Sequence, residues 1–260
     1  MNLTLIYTFI VLLATTIGAI TGLGGGVIIK PFFDLLGADT PTVIGFYSSV
    51  AVFTMCLVSI YKQIRKGFNF DTSILVGVSA GSLGGGYLGE RAFTLATSSL
   101  SQAMVQRIQA SLLLLTLVII LLYAFNKSRV KHYQVKSWFR AALVGIFLGT
   151  ISVFLGIGGG PLNVSLLMWL MSFSMKNAAV YSIATIFFSQ LSKLGSMALT
   201  GELFQFDFGI LPYLMVAAVI GGYMGTLINQ KLDNMQIEKL YNGLMVVLMI
   251  VSVFNIYQTF

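Results

Sequence analysis

The chain has 260 residues, of which 57% are hydrophobic and only 9% are charged, and its mean hydropathy is +0.91. Soluble domains carry roughly 25% charged residues, so this composition excludes a soluble domain and indicates an integral membrane protein. The net charge of +7 does not indicate a nucleic-acid partner, because five of the basic residues fall in one short mid-chain loop, as expected for a cytoplasmic connection.

The first half of the chain consists of five apolar elements. A helix is predicted over about Leu3 to Thr21, and it ends at the cluster Gly22-Leu23-Gly24-Gly25-Gly26. The next piece, Val27 to Leu36, is too short to span, since ten residues of helix rise only about 15 Å. Three full-length segments follow: Pro41 to about Tyr61, Thr72 to about Glu90, and Ala103 to Phe125.

The second half repeats this order after a cytoplasmic loop over about 126–137. The glycine cluster returns as Gly156-Ile157-Gly158-Gly159-Gly160, at an offset of 134 in the numbering, and Tyr47-Ser48 matches Tyr181-Ser182 at the same offset. Phe70-Asp71 matches Phe206-Asp207 at an offset of 136. The segments are Trp138 to Val153, Pro161 to Met171, Ala178 to Leu199, Phe208 to Ile228, and Met235 to Tyr257. We infer two repeats, over about 1–125 and 138–260, within one transmembrane domain spanning 1–260.

The loop charges predict the orientation of the two halves. If the 126–137 loop is cytoplasmic, the number of times that the chain crosses the membrane before and after it places eleven of the 15 Lys and Arg residues on the cytoplasmic side. Equivalent loops of the two halves then face opposite sides, and both termini are extracytoplasmic. The expected fold is an all-α polytopic membrane protein with an inverted repeat of two five-element halves. It has about eight full transmembrane helices and two short re-entrant hairpin elements with glycine tips.

Regular glycines elsewhere indicate helix packing. Gly77, Gly81, Gly85 and Gly89 recur every four residues, and Ala217, Gly221 and Gly225 do the same in the second half. Small residues at this spacing let helices approach closely in lipid.

The enzyme-like motifs do not combine into a catalytic site. The stretch Gly77 to Gly81 matches G-x-S-x-G, but it falls inside a predicted membrane helix, where the motif has no meaning. The sole histidine, His132, lies in the basic loop, so a Ser-His-Asp triad cannot be assembled. No clustered metal ligands and no nucleotide-binding motif are present. We therefore expect no enzyme activity, no cofactor and no metal, and ATP-driven transport would need a partner chain.

The two glycine clusters are candidates for anion binding. Each is followed at once by a helix, so backbone N–H groups and the positive end of the helix dipole point to the same place. The tip candidates are Gly22, Gly24, Gly25, Gly26, Gly156, Gly158, Gly159 and Gly160. Polar residues available to line a site between the tips are Ser48, Ser49, Asn163, Ser182, Thr185, Ser189 and Gln190. The alternative role of these hydroxyls is interhelical hydrogen bonding or bonding to a carbonyl of the same helix.

Two lysines fall inside predicted membrane segments. A lysine at that depth costs about 2.5–3.5 kcal/mol unless it is paired or faces a wet cavity. Lys30 follows the first glycine cluster and shares a helix face with Asp34, so it is either a structural ion-pair partner or an anion ligand. Lys193 lies near the predicted outer end of its helix, which favours snorkelling to the interface.

The glycine clusters, each followed by a short apolar segment with proline, resemble the TauE/SafE sulfite exporter family, also called the toluene sulfonate uptake permease family. The prolines are Pro31 and Pro161, and the resemblance covers essentially the whole chain. It implies transmembrane transport of sulfur-containing anions such as sulfite, sulfoacetate and related sulfonates. Lys30 departs from the aliphatic residue expected before Pro31.

Three functions are carried forward. The favoured one is a secondary carrier or exporter for a small anion in the cell membrane, with the lipid bilayer and the anion as its partners. The second is a passive channel for anions or small solutes, and the third is a membrane enzyme or an assembly subunit. The sequence leaves the substrate, the direction, the coupling ion and a homo-oligomeric state open.

Overall fold

The computed structural model describes residues 3–126, 133, 137–157 and 159–258. This part of the chain forms ten α-helices and one 3₁₀ turn at Glu202–Gln205, so the predicted all-helical class is confirmed. The helices are α1 Leu3–Thr21, α2 Gly26–Leu36, α3 Pro41–Arg65, α4 Thr72–Ser99, α5 Gln102–Asn126, α6 Trp138–Phe154, α7 Pro161–Met171, α8 Met175–Leu199, α9 Leu211–Lys231 and α10 Asn234–Gln258.

Five helices are long and apolar enough to cross a membrane. They are α1, α3, α5, α9 and α10. The helices α4 and α8 have 28 and 25 residues but are less apolar, and α6 is apolar with only 17 residues. The short elements α2 and α7 have 11 residues each. Eight full spans therefore remain a prediction.

Side-chain caps fix where several helices begin. Thr40 precedes Pro41 at the start of α3 and accepts from the amide of Val43, and Asp71 accepts from Ile74 at the start of α4. The predicted end of α4 near Glu90 is wrong by nine residues, because the helix continues to Ser99. Glu90 does not end the helix, since its side chain is buried inside the protein instead of meeting solvent.

Each short helix folds back on the helix before it. The ring of Tyr7 on α1 stacks on Phe33 of α2 at 3.8 Å, and its hydroxyl donates to Asp39 at 2.7 Å. In the second half, the amide of Tyr133 donates to the carbonyl of Trp169, which brings the end of α7 close to the residues that precede α6. Two hairpins with glycine tips result.

The glycine ridges pack helices together, as predicted. A Cβ on Gly85 of α4 would overlap the carbonyl oxygen of Ile146 on α6. In the second half, a Cβ on Gly221 of α9 would lie 2.9 Å from the carbonyl oxygen of Leu12 on α1. Leu12 and Ile146 are related by the same offset as the two glycine clusters, so the two halves make the same close approach at equivalent positions.

Helices α3 and α8 run antiparallel through the centre of the structure. Phe53 stacks on Phe187 at 5.1 Å, and Lys193 near the end of α8 donates to the carbonyl of Gly45 near the start of α3. Phe53 and Phe187 are themselves related by the offset of the glycine clusters. Equivalent residues of the two halves therefore meet each other.

We expect Gly85→Val to lower the yield of folded protein several-fold, because the added side chain forces α4 away from α6. Overpacking of this kind costs roughly 1–3 kcal/mol. Gly84→Val is the matched control, since a Cβ on Gly84 meets no atom within 4 Å. Detergent-solubilised yield and melting temperature measure both variants. Equal losses in the two variants would contradict the packing role of this ridge.

Candidate functional site

The two glycine tips meet inside the protein. A Cβ on Gly26 would overlap the carbonyl oxygen of Ile157 in the second tip, and a Cβ on Gly160 would lie 3.6 Å from Val27 of α2. The described residues of both tips are buried. The predicted convergence of the two clusters is therefore present.

The backbone at the tips requires glycine. The φ angles are 81°, 81° and 78° at Gly22, Gly24 and Gly25, and they are 67° and 114° at Gly156 and Gly159. Side-chain-bearing residues rarely adopt this region. Gly26 differs, since it is already the first residue of α2, and Gly158 lies outside the described residues.

The N-termini of α2 and α7 carry no side-chain cap. Gly25 and Gly160 are the N-cap residues, and neither can offer a hydrogen bond to the first turn. The first amides of a helix have no partner within the helix itself. The two tips thus bring amide-bearing helix ends together at one place, which is an arrangement suited to an anion.

Five of the predicted polar residues form hydrogen bonds within the protein. Ser49, Thr185 and Ser189 donate to carbonyls of their own helices at 2.6 to 2.9 Å. Ser182 donates to the carbonyl of Gly22 at 2.6 Å and ties α8 to the first tip. These hydroxyl groups therefore have the alternative role considered in the sequence analysis, which is hydrogen bonding within a helix or between helices. Asn163 is also buried and accepts from Ser152 at 3.4 Å.

Other buried polar groups near the tips are unpaired among the described residues. The Ser48 hydroxyl has no hydrogen-bond partner and would lie 3.1 Å from a Cβ on Gly26. Both amide atoms of Gln190 are unpaired as well, one turn after Ile186, whose side chain packs on Gly159. Buried polar atoms without partners are rare and costly. They mark Ser48 and Gln190 as groups available to a ligand.

Sequence reasoning missed Gln109 on α5. Its side-chain amide donates to the carbonyl of Phe154 at 2.7 Å, just before the second tip, while its Oε1 atom has no partner in the described part of the chain. The residue is 2% exposed although α5 is one of the most apolar helices. A glutamine within such an apolar segment was the feature of the sequence that could have identified this residue.

Lys30 connects the two tips. Its side chain is 3% exposed, and its ammonium lies 2.9 Å from an Asp34 carboxylate oxygen, so the predicted pair is present. Its Cδ and Cε atoms would lie 3.1 and 3.3 Å from a Cβ on Gly156. The methylene groups of the lysine that follows the first tip therefore lie directly against the second tip, a contact that the sequence did not predict.

Asp34 lies between this buried region and an open vestibule. A cavity of about 10 Å³ beside Lys30 is bordered by Asp34, Gln109 and Asn255, and it is large enough for about one water molecule. Asp34 also borders this vestibule, which is a surface pocket of about 540 Å³ formed by the α2–α3 loop and the start of α5. The ion pair thus separates the vestibule from the tips.

Lys193 does not snorkel, and that prediction is wrong. Its ammonium is buried, donates to the carbonyl of Gly45 at 3.3 Å and lies 3.7 Å from Glu90. The physical reason is that α8 packs against both α3 and α4, and α4 extends past Glu90. Protein therefore surrounds the lysine where lipid was expected.

The described residues contain no group of three or more His, Cys, Asp or Glu that could hold a metal ion.

Comparison with known proteins places the chain in a family. The model of the family "Sulfite exporter TauE/SafE" matches residues 7–252. Two relatives from Bacillus subtilis (strain 168) are named as probable membrane transporter proteins. YunE is 26% identical over 95% of both chains, and YdhB is 25% identical over 85% of this chain and 88% of its own. The chain belongs to the sulfite exporter TauE/SafE family of membrane transporters.

Proposed function

We propose that the protein is a secondary carrier for a small sulfur-containing anion such as sulfite or a sulfonate. The anion binds where the two glycine tips meet. The observation that carries this proposal is the buried Lys30 side chain, which extends from the first tip along Gly156 of the second. The family supports transport, and the site supports an anionic substrate.

The charges of the site favour an anion over a cation or a neutral solute. Lys30 supplies a full positive charge, and the N-termini of α2 and α7 add partial positive charge from their dipoles. Asp34 neutralises Lys30 when no substrate is present. An arriving anion takes the place of Asp34 at the ammonium, so the lysine keeps a partner at each stage.

The unpaired polar groups suit the oxygens of a sulfite or sulfonate group. These groups present three oxygens around one sulfur atom, and each oxygen accepts hydrogen bonds. The Ser48 hydroxyl and the Gln190 amide can donate to them, and neither has a partner among the described residues. Ser182 ties α8 to the first tip, and Asn163 of α7 accepts from Ser152 of α6 across the second.

The closed contact between the tips favours a carrier over a channel. Gly26 packs on the backbone of Ile157, and Gly159 packs on the side chain of Ile186. A carrier exposes its site alternately to the two sides, whereas an open channel needs a continuous path. The vestibule at Asp34 is the route by which an anion reaches the site from one side.

We further propose that the two halves form an inverted repeat that crosses the cell membrane eight times. The antiparallel packing of α3 and α8 supports this arrangement, because equivalent segments then run in opposite directions through the membrane. Inverted repeats of this kind commonly place the substrate site near the midplane. With the 126–137 loop in the cytoplasm, the vestibule opens to the outside.

Purified protein in liposomes is expected to show saturable uptake and counterflow of sulfite or a sulfonate. A screen over sulfite, thiosulfate, sulfonates and carboxylates identifies the preferred anion. Counterflow distinguishes a carrier from a channel, because only a carrier exchanges internal for external substrate against the net gradient. Uptake that rises linearly with concentration, without counterflow, would favour the channel instead.

Substitutions at Lys30 test its role in binding the anion. We expect Lys30→Met to lower folded yield, because Asp34 loses its partner, and Lys30→Met with Asp34→Leu to restore that yield. Both variants are expected to lose anion affinity at least about tenfold, or about 1.4 kcal/mol. Folded yield and competition by the preferred anion provide the two measurements. A double variant with normal affinity would show that the pair is only structural.

The proposed orientation predicts an extracytoplasmic C-terminus. Alkaline phosphatase fused after Phe260 is expected to be active, and a fluorescent protein fused at the same place is expected to be dark. A fusion within the 126–137 loop serves as the opposite control. The reverse pattern of activities would refute the orientation and leave the anion site unaffected.

A further inference from the structure

A second buried ion pair lies apart from Lys30 and Asp34. The Lys193 ammonium on α8 is 3.7 Å from Glu90 Oε2 on α4, and the two side chains are 3% and 7% exposed. The ammonium donates its hydrogen bond to Gly45, at 3.3 Å, while Glu90 Oε2 has no hydrogen-bond partner within the described ranges. Ionisable groups inside membrane segments are costly and usually have a function.

The place related to this pair by the repeat provides an internal comparison. Lys193 corresponds to Ser59 at the offset of 134, and Glu90 corresponds to Thr226 at the offset of 136. Thr226 and Ser59 form a neutral hydrogen bond of 2.9 Å between α9 and α3. The ion pair bridges α4 and α8 at the equivalent place.

The backbones around the two pairs are arranged alike. A Cβ on Gly86 of α4 would lie 2.6 Å from the carbonyl oxygen of Ser189 on α8, and a Cβ on Gly222 of α9 would lie 3.0 Å from that of Met55 on α3. Ser189 and Met55 are again equivalent positions of the two halves. Since a neutral bond suffices for the same helix packing, the charges of Glu90 and Lys193 are not needed to hold the helices together.

The surroundings of the pair link it to the anion site. Lys193 lies one turn after Gln190 on α8, and its acceptor Gly45 lies one turn before Ser48 on α3, so the pair is next to the two unpaired groups of the anion site. Glu90 is the charged group at 3.7 Å from the ammonium, the ring of Phe93 lies 5.7 Å from it, and the α6 residues beside this part of α4 are uncharged. Arg91, the next residue on α4, is exposed and binds a surface tyrosine.

We propose that Glu90 binds the proton that drives anion transport, an inference that rests on the carrier function proposed above. When Glu90 takes a proton from water, its carboxylate becomes neutral, and the Lys193 charge is no longer compensated. That charge then strengthens the binding of an anion at Lys30. When the proton returns to water, the ion pair forms again and the anion is released. Each ligand then strengthens the binding of the other, and a carrier that changes its exposure only when both are bound or both are absent moves proton and anion across the membrane in the same direction.

The test uses the full-length protein in liposomes that contain a pH-sensitive dye, with radiolabelled sulfoacetate as the probe. Sulfoacetate is fully ionised near neutral pH and carries no proton of its own. Its uptake at equal internal and external pH is expected to acidify the lumen. An unchanged or more alkaline lumen during uptake by the unaltered protein overturns the proposal without any variant.

Two variants locate the proton at Glu90. Glu90→Gln leaves the Lys193 charge in place, as protonation of Glu90 does, and is expected to keep sulfoacetate counterflow within about twofold. Glu90→Thr with Lys193→Ser, which copies the neutral pair of Thr226 and Ser59, removes that charge and is expected to weaken sulfoacetate binding. Accumulation driven by a pH gradient is expected to fall at least about tenfold in both. Ser59→Ala with Thr226→Val is the matched control, and it is expected to keep both activities.

The outcomes separate the two proposals. Gradient-driven accumulation that persists in a folded Glu90 variant overturns the role of Glu90. Net sulfoacetate uptake without lumen acidification overturns proton coupling and leaves the carrier function in place. Absence of sulfoacetate counterflow in the unaltered protein overturns the carrier function for sulfonates, and the proton proposal with it.

Discussion

The structure depends on how non-helical backbone is accommodated within the membrane. In lipid, every peptide N–H and C=O needs a partner, so a break in a helix is tolerated only where protein or a wet cavity surrounds it. Here the two breaks cover each other, with Gly26 against Ile157. Buried amides from other helices satisfy the last carbonyls before each break, Asn229 at Ile20 and Gln109 at Phe154. A site for an anion can exist there because the same backbone that must be sheltered also supplies donors.

The secondary structure could be predicted from the sequence because local signals determine it. Apolar runs, glycine clusters and Pro161 mark the helices and their breaks, and the predicted bounds of α1 and α7 agree with the structure. The end of α4 was placed nine residues too early, at about Glu90, because a charge in an apolar run is compatible both with the end of a helix and with burial inside the protein. Whether a charge in an apolar segment is buried depends on the helix packed beside it, and that information is not local.

The convergence of the two glycine tips was predicted from the sequence, but the contacts around them were not. The convergence of the tips follows from their repeated glycines, whereas the contact between Lys30 and Gly156 depends on the relative placement of two hairpins. The same limit applies to Lys193, whose distance from the end of α8 indicated snorkelling while its burial depends on α3 and α4. Hydroxyl residues were the least predictable, since a serine on a membrane helix bonds its own backbone unless a neighbour offers a better acceptor.

The stack of Phe53 on Phe187 has a consequence for the origin of the fold. In an isologous dimer, a residue on the symmetry axis touches its own copy in the other subunit. Phe53 and Phe187 occupy equivalent positions of the two halves and touch each other in this way. Their contact has the form of a dimer interface between two half-length chains. Within one chain the two places related in this way can differ, and one of them holds the ion pair of Glu90 and Lys193 while the other holds the neutral pair of Thr226 and Ser59.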